Sequence, residues 1–184
     1  MENSELDPKS DTRNLRDEYK GMSNEAVKDS LDKKRVSLEI AIENVDHDFN
    51  VGTIVRSANN FNVQAVHIIG RKKYNRRGAM CTDKYLTIKH WSDVKEFIDD
   101  QRARNREVVA VENNTERARP IHDKKFTQDT TLIFGSEGNG ISGELLEQAD
   151  DVRYIESLGS TRSLNVGVAA GVAIYEWVRQ KILL

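Results

Sequence analysis

Three short stretches carry polar side chains for which a buried core has no use. The first, ENVDHDFNVGTIVRSANNFNV, places Asn44, Asn50, Gly52 and Arg56 where a strand gives way to an amphipathic helix. Asn50 is a candidate cap for that helix, and Gly52 lets another backbone approach closely. Arg56 falls on the second helical turn, near an end where the macrodipole favours anions, so its placement points to an anionic ligand such as a phosphate; the alternative is an ordinary exposed arginine. The second stretch, LIFGSEGNGIS, runs an apolar strand into glycines around Glu137. Such a loop can hold a polar small molecule on its amides and offer Glu137 to a hydroxyl or amine; the alternative is a plain turn before a helix. The third, TRSLNVGVAAGVAIYEWV, crowds Arg162, Ser163 and Asn165 before a helix of small and apolar residues. Ser163 or Asn165 can cap that helix, but one cap accounts for one residue. Interior glycine costs about 1 kcal/mol against alanine, so Gly167 and Gly171 require a closely packed neighbour.

Two further features bear on ligands. GNGISG fits the dinucleotide pattern at Gly138, Gly140 and Gly143, but that fold opens with this unit, and here only two elements follow it. A nicotinamide-dependent oxidoreductase is therefore a weak alternative, and no P-loop is present. The loop GRKKYNRRGAM gathers Arg71, Lys72, Lys73, Arg76 and Arg77 around Tyr74, and RARNR adds a second basic cluster at Arg102 to Arg106. Cations interleaved with an aromatic suit an RNA backbone and a stacked base, against the plainer reading of a solvated loop and helix end. A net charge of only -2 does not by itself announce such a partner.

The elements that must position these residues follow from periodicity. With 184 residues, 38% hydrophobic and 32% charged, the chain fits one soluble domain. No segment approaches a membrane span and no signal peptide is evident, which implies a cytoplasmic protein with no membrane association. The single Cys81 and four scattered histidines imply neither a disulfide nor a metal site. Residues 1–35 read as a polar N-terminal extension, mobile to about Lys20 and then helical behind a Ser23 cap. From residue 36 to 184, strands VSLEIAIENV, AVHIIG, REVVAVE, TTLIFG and VRYIES alternate with helices. This alternation predicts an α/β domain around a mostly parallel sheet, with ligands at the carboxyl ends of the strands.

In this order and spacing, NVDHDFNVGTIVRSANNFNV, LIFGSEGNGIS and YIESLGSTRSLNVGVAAGVAIYE resemble the three motifs of the SpoU (TrmH) family of RNA ribose 2′-O-methyltransferases, within the SPOUT superfamily. The likeness runs from about Ser37 to the C-terminus. It departs at Asn62, where the first motif usually has glycine, at Glu156 and Ser157 in place of Pro-Met, and at Gly167 in place of a common serine. The resemblance implies a C-terminal deep trefoil knot, a homodimer with the active site near its interface, and S-adenosylmethionine held by Phe134, Gly135, Gly140, Ile155 and Leu164. It further implies that Asn50, Arg56, Glu137, Ser163 and Asn165 form the catalytic and substrate-positioning set, and that tRNA or rRNA is the substrate. A non-catalytic RNA-binding member of the same fold is the alternative within the family.

Overall fold

The computed structural model describes residues 7–44 and 50–184. Helix α1 (Asn24–Asp32) precedes strand β1 (Val36–Asn44), and α2 (Asn50–Asn60) leads to β2 (Val63–Gly70). Two short 3-10 turns then reach β3 (Ile88–Trp91), followed by α3 (Val94–Ala103), β4 (Glu107–Val111) and β5 (Arg119–Pro120). Strand β6 (Thr130–Phe134), α4 (Gly143–Gln148), β7 (Asp151–Tyr154) and α5 (Val166–Val178) complete the chain, with one π-helical turn beyond. Among the described residues, seven strands form a single sheet in the order β3-β2-β1-β6-β4-β7-β5, and every pairing is parallel. The expected α/β architecture is what folds. Strands β3 and β5 were not foreseen: at four and two residues they are too short to show a period, and pairing with β2 and β7 defines them.

Successive strand residues face opposite sides of a sheet, and here they feed two cores. Leu38, Ile40, Ile42, Leu132 and Phe134 meet α2 and α5 through Ile54, Ala170, Ile174 and Trp177. Ala41, Ile69, Val108, Ala110 and Ile133 face α3 and α4 through Phe97, Ile98 and Leu145. Because β1 leads outward through β2 to β3 while β6 and β4 lie on its other side, the sheet rim has a switch point beside β1.

Ser23 caps α1 as expected, its hydroxyl accepting from Ala26 N at 3.2 Å. The stretch before it is less loose than anticipated. Arg13 pairs with Asp11 and reaches Asn24 Oδ1 and the Met22 carbonyl, while Tyr19 is buried with Val27 and Tyr85. The start of the expected mobile segment, residues 1–6, lies outside the described residues.

Two arginines of the second basic cluster, Arg104 and Arg106, are engaged within the fold, while Arg102 stays exposed. Arg104 grips the buried Glu39 with two hydrogen bonds of 2.8 Å, and the Arg106 guanidinium lies 3.3 Å from the same carboxylate. Glu39 also accepts from His67 Nε2 at 2.8 Å, and Trp91 Nε1 donates to His67 Nδ1 at 2.9 Å. An indole N–H can only donate, so His67 is held neutral with its hydrogen on Nε2. Burial alone would raise the Glu39 carboxyl, but His67, Arg104 and Arg106 outweigh it and hold it well below the carboxylate range. Burial lowers His67 more than Glu39 raises it.

Both shifts have the same consequence. As pH falls below the ordinary histidine value near 6.5, and then the glutamate value near 4.5, the unfolded chain takes up protons first and stability is lost. Removing the carboxylate leaves buried arginine uncompensated, so Glu39→Ala should cost about 3–5 kcal/mol in urea unfolding at pH 7. Trp91→Phe should move the His67 titration upward, as read by proton NMR.

Candidate active site

A cavity of about 330 Å³ opens at the carboxyl ends of β4, β6 and β7, against the start of α5. Val111, Phe134, Ile155, Leu164, Val166 and Ala169 supply apolar wall; Glu112, Asn113, Asn114, Glu137 and Ser163 supply polar edge. All five residues expected to hold a cofactor, Phe134, Gly135, Gly140, Ile155 and Leu164, line this one cavity. The loop after β6 is closed on itself by hydrogen bonds between Ser136 and Gly140, 3.1 Å and 2.9 Å long. That closure requires glycine at Gly135, where a Cβ would stand 2.0 Å from the Gly140 carbonyl carbon. Gly140 adopts φ of +68°, and a Cβ there would meet Glu112 Oε2 at 2.5 Å.

Three of the expected site residues join directly across this loop. Asn165 caps α5, its Oδ1 accepting from Gly167 N and Val168 N at 3.0 Å and 3.3 Å. That fixes its amide, so Nδ2 faces outward and donates to Asn50 Oδ1 at 2.9 Å and Glu137 Oε1 at 3.1 Å. Asn50 Nδ2 in turn donates to Glu137 Oε2 at 2.5 Å. The cap and the polar site are therefore the same side chain. Asn50 is the first helical residue of α2 and is turned toward Glu137, not toward its own helix. Ser163 lines the cavity beside this group. Arg56 does not line it: the side chain is exposed on α2 and makes no hydrogen bond or ion pair among the described residues.

Several residues of the cavity were missed. Glu112 accepts from Ile141 N at 3.1 Å and from Asn113 N at 2.8 Å, bracing the glycine loop. Asn113 Nδ2 donates to the Arg162 carbonyl at 2.6 Å, so Arg162 contributes through its backbone. The available signal was a polar run, ENN, at the end of a strand whose carboxyl end was already expected to face ligand.

The small residues find their neighbours in α2 and the basic loop. A Cβ on Gly167 would press Thr53 Cγ2 at 3.0 Å, and one on Gly171 would reach Ser57 Oγ at 4.0 Å. A Cβ on Gly52 would stand 2.7 Å from Asn75 O and 2.9 Å from Ala79 N, so the backbone that Gly52 admits belongs to the basic loop itself. Buried Asn44 secures the other end of that loop, donating to the carbonyls of Arg71 and Lys73 at 2.6 Å and 3.1 Å. Arg71, Lys72, Lys73 and Arg77 are exposed without an ion pair among the described residues, whereas Arg76 is neutralised by Asp83.

Among the described residues no cluster of histidine, cysteine or carboxylate side chains could hold a metal, and no helix is long and apolar enough to cross a membrane. Residues 37–175 match the model of the SpoU rRNA Methylase family. The chain belongs to this family. It is 29% identical over 160 residues to a tRNA (guanosine(18)-2′-O)-methyltransferase of Thermus thermophilus, covering 85% of this chain and 81% of the relative. It is 30% identical over 162 residues to the 23S rRNA (guanosine-2′-O-)-methyltransferase RlmB of Coxiella burnetii, covering 83% of this chain but only 63% of that protein. A solved A. aeolicus TrmH/SpoU tRNA modifying enzyme aligns with a TM-score of 0.75 at 26% identity, over 86% of this chain and 82% of the other. The SpoU methyltransferase AviRb from Streptomyces viridochromogenes, solved in complex with AdoMet, aligns with a TM-score of 0.70 at 25% identity, over 80% of this chain and 59% of the other.

Two departures from the SpoU motifs have a structural account. Asn62 ends α2 with φ of 52°, the left-handed conformation that glycine adopts freely and asparagine tolerates best among other residues. Its side chain is used as well, donating to Leu31 O and accepting from Arg35. Gly167 sits where any side chain would crowd both Thr53 and the Asn165 cap. Gly135→Ala should open the Ser136–Gly140 closure and cost about 1–3 kcal/mol, the usual penalty of overpacking, measured by denaturant unfolding.

Proposed function

We propose that this chain transfers a methyl group from S-adenosylmethionine to a ribose 2′-hydroxyl of tRNA or rRNA, with tRNA favoured. The observation that carries this reading is the bonded group Asn50, Glu137 and Asn165 on the edge of the glycine-loop cavity. The relatives named for guanosine 2′-O-methylation support the reaction and make guanosine the preferred nucleoside. The cavity fits the cofactor by its chemistry: apolar walls at Phe134, Ile155 and Leu164 suit an adenine, while the carboxylates Glu112 and Glu137 suit a cationic ligand. When bound, S-adenosylmethionine supplies an electrophilic methyl on a sulfonium.

The chain's own residues have to place the hydroxyl and handle charge. Glu137 holds the amides of Asn50 and Asn165 in one orientation, and with Ser163 they fix the ribose by hydrogen bonds; positioning of this kind can be worth about 7–11 kcal/mol of barrier. Arg56 clamps the adjacent phosphate and stabilises charge on the oxygen, whose proton would pass to water as its bond to the methyl forms and the carbon–sulfur bond breaks. Its place outside the cavity is compatible with a two-subunit site. Leu164, just before α5, and Val168, Val172 and Tyr175 along it are 43%, 53%, 40% and 50% exposed, an apolar face that supports a homodimer bringing Arg56 to the cavity. The contacts of the 161–165 elbow with Asn50, Asn113 and Glu137 likewise support a C-terminal knot threaded at the glycine loop. A cytoplasmic location accords with such a substrate.

Arg56→Ala should abolish transfer of a tritiated methyl to tRNA while leaving cofactor affinity by calorimetry within about threefold; retained turnover removes Arg56 from the mechanism. Replacing Lys72, Lys73 and Arg77 with glutamine should flatten the log–log salt dependence of RNA binding by about two units, at roughly 0.7 per single-strand phosphate contact. An unchanged slope places the RNA on another surface.

A further inference from the structure

A second cavity, of about 520 Å³, lies under the basic loop. It lies between β2 and β3 and the loop that follows β2, with β1 between it and β6; β2 and β6 are two strand spacings apart, about 10 Å. Ile68 and Ile88 give it an apolar floor, and the half-buried ring of Tyr74 stands in its wall. Burial, with the charge of Asp83, pushes the Tyr74 phenol up and keeps that ring neutral. His90 Nε2 donates to the Gly70 carbonyl at 2.7 Å, which anchors the ring in the wall of the pocket. The Asp83 carboxylate, 6% exposed and paired with Arg76, adds an acceptor. At the mouth, Lys72 and Lys73 carry charges that no carboxylate among the described residues neutralises. The pocket is held open by contacts already described: Asn44 fixes the loop at its base, and Gly52 seats it on α2.

We propose that this cavity is a nucleotide subsite for the RNA, in which a base stacks on Tyr74 while Lys72 and Lys73 take its phosphate. It rests on the reading of the chain as an RNA enzyme and deepens it, for it assigns a neighbour of the methylated nucleotide a position of its own. An aromatic face accepts any base, and the Asp83 carboxylate suits a base edge that carries N–H groups. The site thus measures a short distance along the RNA, from a base in this pocket to the ribose at Glu137.

The test uses the full chain and tRNA transcribed with 4-thiouridine. Irradiation should cross-link the wild-type protein within the segment 72–90, mapped by mass spectrometry. Tyr74→Leu should weaken tRNA binding by roughly five- to hundredfold, as expected for loss of one stacked base, and Tyr74→Phe should stay within about twofold of wild type. Both variants should keep wild-type affinity for S-adenosylmethionine, which reports an intact fold. Cross-links confined to other segments, or equal tRNA affinity for Tyr74→Leu and wild type, overturn the subsite even if the Lys72 and Lys73 charges still matter. Failure of the wild-type chain to bind either tRNA or a 23S rRNA transcript removes the RNA reading and the subsite with it.

Discussion

The carboxylate of Glu137 holds together segments that the chain keeps far apart. It accepts from Asn50, 87 residues before it, and from Asn165, 28 residues after it, and those two amides bond to each other across 115 residues. Each partner has its orientation decided elsewhere. Asn165 is fixed by capping α5, Asn50 by the start of α2, and Glu137 by a loop closed at Ser136 and Gly140. A single side-chain group therefore ties the starts of α2 and α5 to the loop after β6, at the edge of the cavity.

That registration depends on backbone approaches that only glycine permits. Gly135 lets the loop fold back on Gly140, Gly167 lets α5 lie against Thr53, and Gly52 lets the basic loop rest on α2. These contacts are steric and short-ranged, so they set position sharply without adding charge to the site. The strong electrostatics lie elsewhere. Glu39 with Arg104, Arg106 and His67 is buried on the α3 face of the sheet, where it braces β1 and β2 beneath the loops that carry the site. The result is a polar rim mounted on a rigid, locally ionic base.

Much of this was legible in the residues. The alternation of strands and helices, the Ser23 cap, a cap at Ser163 or Asn165 and the five cavity residues from Phe134 to Leu164 all follow from local pattern or from motif resemblance, and the structure gives that second cap to Asn165. What was not legible shares a physical cause. Strands β3 and β5 are too short to have a period, and their hydrogen-bond partners are remote in sequence. Arg104 and Arg106 looked like surface charge because nothing local to them announces Glu39. Glu112 and Asn113 sat in an unremarked polar run until the sheet brought β4 beside β6.

The sequence by itself determined the secondary-structure alternation, the family motifs and the side chains available for chemistry, because helix and strand periods, caps and glycine spacings are local properties of the chain. Only the tertiary structure decided which of those side chains meet. Asn50, Glu137 and Asn165 become one hydrogen-bonded group, Arg56 is left on the outer face of α2, and one basic cluster faces solvent while Arg104 and Arg106 of the other turn inward to Glu39. Hydrogen bonds and ion pairs between residues distant in sequence are set by strand order, and strand order is a property of the packed sheet as a whole.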